Sequence, residues 1–179
     1  MKRAIISSCI ICFTGVLQAQ DAHEFVLKDP RAVYIPLHHT YSTAFISSYI
    51  NSAFKTEREK LLAIYSWVTT NIRYDTDSMY AINSERDPEA RVTEALRRRK
   101  GVCENDAALF TDIAVTCGIK GYIVSGYTKQ LGAVDRSGHS WCAVSLENEW
   151  YLCDPTWDEG NSMNARWYLL PPGRFIDTH

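Results

Sequence analysis

Three features of the chain predict an α+β domain, with helices leading and an antiparallel sheet following. Apolar residues recur at three- and four-residue intervals from Ser42 to Gly118; a β-rich pattern takes over at Tyr122-Ile123-Val124; and two later runs, His139 to Leu146 and Glu149 to Asp154, are joined by the short polar step Glu147-Asn148. With 179 residues, 46% of them hydrophobic and 22% charged, the chain suits one domain with a real core. Its 19 basic and 21 acidic residues leave a net charge of -2, which gives no basic face for nucleic acid.

The first twenty residues read as an address. Lys2 and Arg3 precede an apolar run from Ala4 to Leu17, and Leu17-Gln18-Ala19 offers a small residue for cleavage, so residues 1–20 are expected to be a signal peptide and the protein secreted or periplasmic. The run is shorter than the roughly 20 residues of a spanning helix, and no later segment is a better candidate for a stable membrane span. Acylation at Cys9 would leave almost no apolar segment ahead of it. Residues 21–41, with Pro30 and Pro36 and no sustained period, are expected to form an extended arm before a domain at 42–179. His23, His38 and His39 lack a carboxylate or cysteine at ligand spacing, so they read as loop histidines.

Each helix has its own signal. Phe45, Ile46, Tyr49, Ile50, Ala53 and Phe54 form one stripe. Thr56-Glu57-Arg58-Glu59 is a capping box, and Leu61, Ile64, Tyr65, Val68 and Ile72 continue an apolar face behind it. After a polar loop over 74–86, Asp87-Pro88-Glu89 starts a short helix with Val92, Ala95 and Leu96 inward. It ends in Arg97, Arg98, Arg99 and Lys100, cations that suit a helix C-terminus. Gly101 then delivers Cys103 to the start of a further helix, along which Ala107, Phe110, Ala114 and Cys117 repeat until Gly118 stops it.

The strands follow. A run from Tyr122 closes at Gly126, Gly132 to Gly138 reads as a turn, and Trp167 to Leu170 as a last strand before Pro171-Pro172. A two-residue turn at Glu147-Asn148 puts Leu146 opposite Glu149 and, counting outward, Cys142 opposite Cys153, close enough to bridge in an oxidising space. Trp141 then faces Asp154, with His139 one diagonal step away on the same face.

A cysteine in the first turn of a helix lies among unpaired N–H groups and at the positive end of the dipole, which favour a thiolate. Together, Cys103, His139 and Asp154 are the set that acyl transfer needs: a thiolate to attack, an imidazole to carry the proton and a carboxylate to hold the imidazole.

Five ordered segments resemble the transglutaminase-like superfamily, and within it the branch of the kyphoscoliosis-type peptidases. They are Ile64 to Asp75, Gly101-Val102-Cys103, Val124-Ser125-Gly126-Tyr127, His139-Ser140-Trp141 and Asp154-Pro155-Thr156-Trp157. The resemblance covers roughly Phe45 to the C-terminus and implies a papain-like α+β core, with Cys103 as nucleophile, His139 as base and Asp154 as orienting acid. It implies a protein or peptide substrate and neither cofactor nor metal. In place of the aromatic usual after the cysteine, this chain has Glu104, Asn105 and Asp106, and two carboxylates so placed oppose a thiolate. The Cys103 N–H would be one oxyanion donor and a side chain such as Trp67 or Tyr74 the other. Hydrolysis is favoured over cross-linking because no calcium-loop pattern is present. Two other classes stand beside this reading: a non-catalytic binding or scaffolding module that keeps these residues for packing, and a structural metal protein using Cys142, Cys153 and a histidine, which lacks paired CxxC spacing.

Overall fold

The structure, a computed structural model, describes residues 26–79, 87–160 and 162–179. The expected signal peptide at 1–20 and part of the 74–86 loop lie outside these residues. No helix among the described residues is long and apolar enough to cross a membrane.

From residue 26 the segment expected to be an extended arm instead folds onto the domain. Asp29 caps a one-turn helix, α1 (Pro30–Val33), by accepting from the Arg31 N–H at 2.9 Å. Pro30 fits the first helical position, and Ala32, Val33 and Ile35 are buried. Burial of these apolar residues outweighs the extended preference suggested by the prolines. Lys28 is buried too, donating to the carbonyls of Asp158 (2.9 Å) and Gly160 (3.2 Å).

The helices form where the sequence predicts them. Ser42 caps α2 (Thr43–Ala53), and α3 (Glu57–Asn71) begins with the reciprocal Thr56 and Glu59 bonds of the capping box. Asp87 caps α4 (Pro88–Arg98), which ends at Arg99 with φ 53°. The central element is α5 (Cys103–Thr116), whose Ala107, Ala108, Leu109, Phe110, Ile113 and Ala114 are at most 2% exposed. Helices α2, α3 and α4 and the sheet all pack on it. Two very short strands, β1 (Arg73–Tyr74) and β2 (Lys100–Gly101), pair in parallel and bring the end of α3 beside the start of α5.

The sheet has the order β3 (Gly121–Gln130), β4 (Ala133–Leu146), β5 (Glu149–Cys153), antiparallel throughout. Glu147 (φ 55°) and Asn148 (φ 68°) form the two-residue turn, so Cys142 does face Cys153, both as free thiols. Two expectations fail. The turn expected over Gly132 to Gly138 shrinks to Leu131-Gly132, because both take positive φ (51° and 79°) and the strands pair on either side, past a register shift at Gly126/Thr128. Trp167 to Leu170 is no strand: Leu169 has φ 48°, and only an isolated bridge joins Leu170 to Leu152.

Candidate active site

Cys103 opens α5, 4% exposed, on a backbone shaped for it. The Asn105 side chain accepts from the Val102 N–H at 3.1 Å and donates to the Arg91 carbonyl at 3.1 Å, which fixes the helix entry. Gly101 is required there: a Cβ would lie 2.4 Å from that of Asn105. The Cys103 N–H, at the first helical position, is among the donors that α5 leaves without an intrahelical partner.

His139 comes from β4, paired with Gly126 of β3. A Cβ at Gly126 would stand 2.6 Å from the Trp141 ring, so the glycine makes room for that indole beside the histidine. His139 Nε2 lies 2.7 Å from Asp154 Oδ2, which leaves Nδ1 available, and Cys103 is near enough for its charge to act on the ring. Burial works to lower its pKa, but the hydrogen bonds and charges of Asp154 and Cys103 prevail and raise it to about 9. Cys103 and His139 open together into a pocket of about 310 Å³ that Gly126, Tyr127 and Gly138 also line.

Asp154 is fully buried just past β5, and its four hydrogen bonds explain the Asp-Pro-Thr-Trp run. Oδ1 accepts from the N–H groups of Thr156 (3.0 Å) and Trp157 (3.3 Å); Oδ2 faces His139 and, at 3.1 Å, Nε2 of His179. Burial alone would raise this carboxyl, yet the two imidazoles hold it below its ordinary value. The sequence thus brings together the three residues it singled out.

Sequence reasoning missed His179. It follows the single-turn α6 (Pro172–Phe175) and is stacked on Phe175 at 3.8 Å, with Trp157 at 4.3 Å and Trp141 at 5.1 Å. Its segment is tied to β3, where the Lys129 N–H donates to the Thr178 carbonyl at 2.7 Å. The cluster of aromatics after Asp154 was the only available signal. The ligand-type atoms of His139, Asp154 and His179 lie within 4.8 Å of one another, a donor set with the chemistry to hold a metal ion. Here, both imidazoles hydrogen-bond one carboxylate oxygen, the arrangement of an orienting acid.

The two carboxylates expected to oppose the thiolate are each accounted for. Glu104 forms an ion pair with Arg91 at 3.1 Å. Asp106 turns inward, fully buried, and accepts from the Thr156 hydroxyl at 2.9 Å. Of the two side chains considered as oxyanion donors, Trp67 lies in the core with the Arg99 guanidinium 5.0 Å over its ring. Tyr74 sits at the site, where burial and then the charges of Cys103 and Asp106 push its pKa up to about 12, so its hydroxyl keeps its proton. Of the basic run, Arg98 and Lys100 pair with Asp75, at 2.6 and 3.7 Å. His38 and His39 sit on a single 3-10 turn, their rings 4.2 Å apart and that of His39 5.3 Å from Tyr49.

Residues 45–155 match the family described as the transglutaminase-like superfamily. Kyphoscoliosis peptidase of Homo sapiens is 33% identical over 141 residues, 69% of this chain and 21% of the human protein; that of Mus musculus is 32% identical over 138 residues, 68% and 20%. The chain therefore spans about a fifth of the length of these curated relatives. The periplasmic domain of TgpA from Pseudomonas aeruginosa shares the fold, with TM-score 0.51 and 20% identity over 73% of this chain and 48% of that one.

Proposed function

Since this chain belongs to the transglutaminase-like superfamily, we propose that it is a secreted or periplasmic cysteine enzyme that cleaves amide bonds in a protein or peptide. The observation that carries this reading is the His139 ring, hydrogen-bonded to Asp154 at 2.7 Å and lining, together with Cys103, the wall of an open pocket. In this mechanism the Cys103 thiolate adds to the carbonyl carbon, forming a C–S bond while the carbonyl oxygen takes the negative charge. The Cys103 N–H and the Tyr74 hydroxyl hold that oxygen. Imidazolium His139 gives its proton to the amine nitrogen, the C–N bond breaks, and a thioester remains. Neutral His139 then takes a proton from water, the hydroxide adds, and the C–S bond breaks to release the acid and restore the thiolate. Asp154 keeps the ring oriented and offsets its charge in both halves.

Iodoacetamide labelling with mass mapping tests the reading without a known substrate. At pH 6 Cys103 labels at least tenfold faster than Cys117, whose thiol is raised by burial at the far end of α5, and His139→Ala removes the advantage. Equal labelling of the two, or a rate indifferent to His139→Ala, would hand the fold to the binding-module reading.

A further inference from the structure

Helix α5 carries Asp106 one turn beyond Cys103, whereas Glu159 closes the short loop that begins at Asp154. The two side chains face each other across the site, close enough for each carboxyl to act on the other's charge. Yet Asp106 Oδ1 and Glu159 Oε1 are both shut off from solvent without a donor from any other group. Ionised carboxylates only accept, and two neighbouring like charges shut off from solvent cannot both persist. One proton between them supplies the missing donor for both oxygens.

We propose that Asp106 and Glu159 hold one proton in common, and that this acid–carboxylate hydrogen bond positions the nucleophile helix against the loop of the orienting acid. Its consequence for catalysis rests on the enzyme reading; the pair itself does not. Every neighbouring group is consistent with a single shared proton. The Tyr74 backbone of β1 lies beside Glu159, and the Thr156 hydroxyl donates to Asp106. Asp154 adds negative charge, His139 from β4 partly offsets it at Asp106, and the buried Lys28 ammonium lies within reach of the Glu159 charge. Cys103 and the Tyr74 phenol complete the surroundings. Burial is the main influence on both acids: it pushes Asp106 up to about 6 and, with the Asp106 charge beside it, Glu159 up to about 10.

The sign of the stability effect follows. In the unfolded chain both acids ionise near their ordinary values, at about pH 4, while the folded pair keeps its last proton to about pH 10. Folding therefore takes up a proton across the neutral and mildly alkaline range, and the folding constant falls by up to about tenfold per pH unit there. In Glu159→Gln an amide N–H replaces the shared proton, Asp106 stays ionised, and the pair has the same charge without the uptake. Asp106→Asn is the mirror variant. His139 adds its own slope, equally in all three proteins.

Urea unfolding at pH 7, 8 and 9 of the unaltered protein and both amide variants tests this. The expected result is divergence, the unaltered protein losing up to about tenfold per pH unit in folding constant relative to either variant; parallel profiles would overturn the proposal. Should neither variant fold, infrared spectra of the unaltered protein at pH 8 decide: the carbonyl band of a protonated carboxylic acid is expected, and its absence overturns the shared proton. For positioning, iodoacetamide labelling of Cys103 at pH 7 is expected to be retained within about threefold in Glu159→Gln, whereas Glu159→Ala, which removes the partner, loses about tenfold or more; equal rates in the two variants would overturn the positioning role. An unreactive Cys103 with diverging stability profiles removes the enzyme reading alone. A His139-dependent Cys103 with parallel profiles removes the shared proton alone.

Discussion

The two halves of the site are held by different physics. Helix α5 is fixed by apolar burial, with Ala107, Leu109, Phe110 and Ile113 closed off from solvent among the helices and the sheet that pack on it. The chain from Asp154 to His179 has little regular structure; it buries Ala165, Tyr168 and Phe175, but its acidic groups are fixed by directed polar bonds. Asp154 is saturated; Asp158 Oδ2 accepts from the Tyr65 hydroxyl and the Trp167 N–H, both at 2.7 Å; and Lys28 holds the Asp158 and Gly160 carbonyls. Apolar burial tolerates pH and fails when volume is lost, while a polar lattice fails when a charge changes. The difference teaches that Cys103 can ride on a generic packed helix, whereas Asp154 needs named partners.

Substitutions can break or sharpen this contrast. Asp154→Ala strikes the polar half at its hub and is expected to lower hydrolysis of denatured casein about 10⁴-fold, measured as kcat/KM. Phe110→Ala strikes the packed half; it is expected to cost about 3–5 kcal/mol in urea unfolding, and nearly the same at pH 5 as at pH 9. The third expectation concerns pH itself. The folded pKa of His139 is raised to about 9, so its stabilisation is complete below the ordinary histidine value of about 6.5 and is lost as pH rises through about 9, on the order of 2–3 kcal/mol. That loss should disappear in His139→Ala, and a pH slope unchanged by the substitution would contradict it. Asp154, held below its ordinary value, contributes with the opposite sign, losing its stabilisation as the solution becomes acidic. The smallest effect is expected for His179→Ala, about 1–2 kcal/mol, because Asp154 Oδ2 keeps its bond to His139. A loss as large as that from Asp154→Ala would show the second imidazole to be the main anchor of the acid.

What could be read from the sequence divides along the same line. Caps and periods are local, so Thr56 with Glu59, Asp87 before Pro88, and the face of α5 were all legible. The Glu147-Asn148 turn was legible too, and with it the register that brings His139 to Asp154, because one turn length determines every pair in a hairpin. The partners of the polar half leave no such trace. Nothing near Glu159 points to Asp106, nothing near His179 points to Asp154, and Lys28 is an ordinary cation until the loop closes on it. Leu169 defeated the strand expected at Trp167 to Leu170, since a leucine at positive φ has no compositional signal.

Lys28 has a consequence for where this domain may be cut. The family match runs from residue 45 to 155, and that stretch holds Cys103, His139 and Asp154. It omits Lys28, Asp158, Glu159 and His179, the groups that tether the acid loop from outside. A fragment trimmed to those limits would keep all three residues of the proposed triad and lose the fastenings that hold them in register. On the proposed reading, the stretch that must stay together therefore runs from before Lys28 to His179.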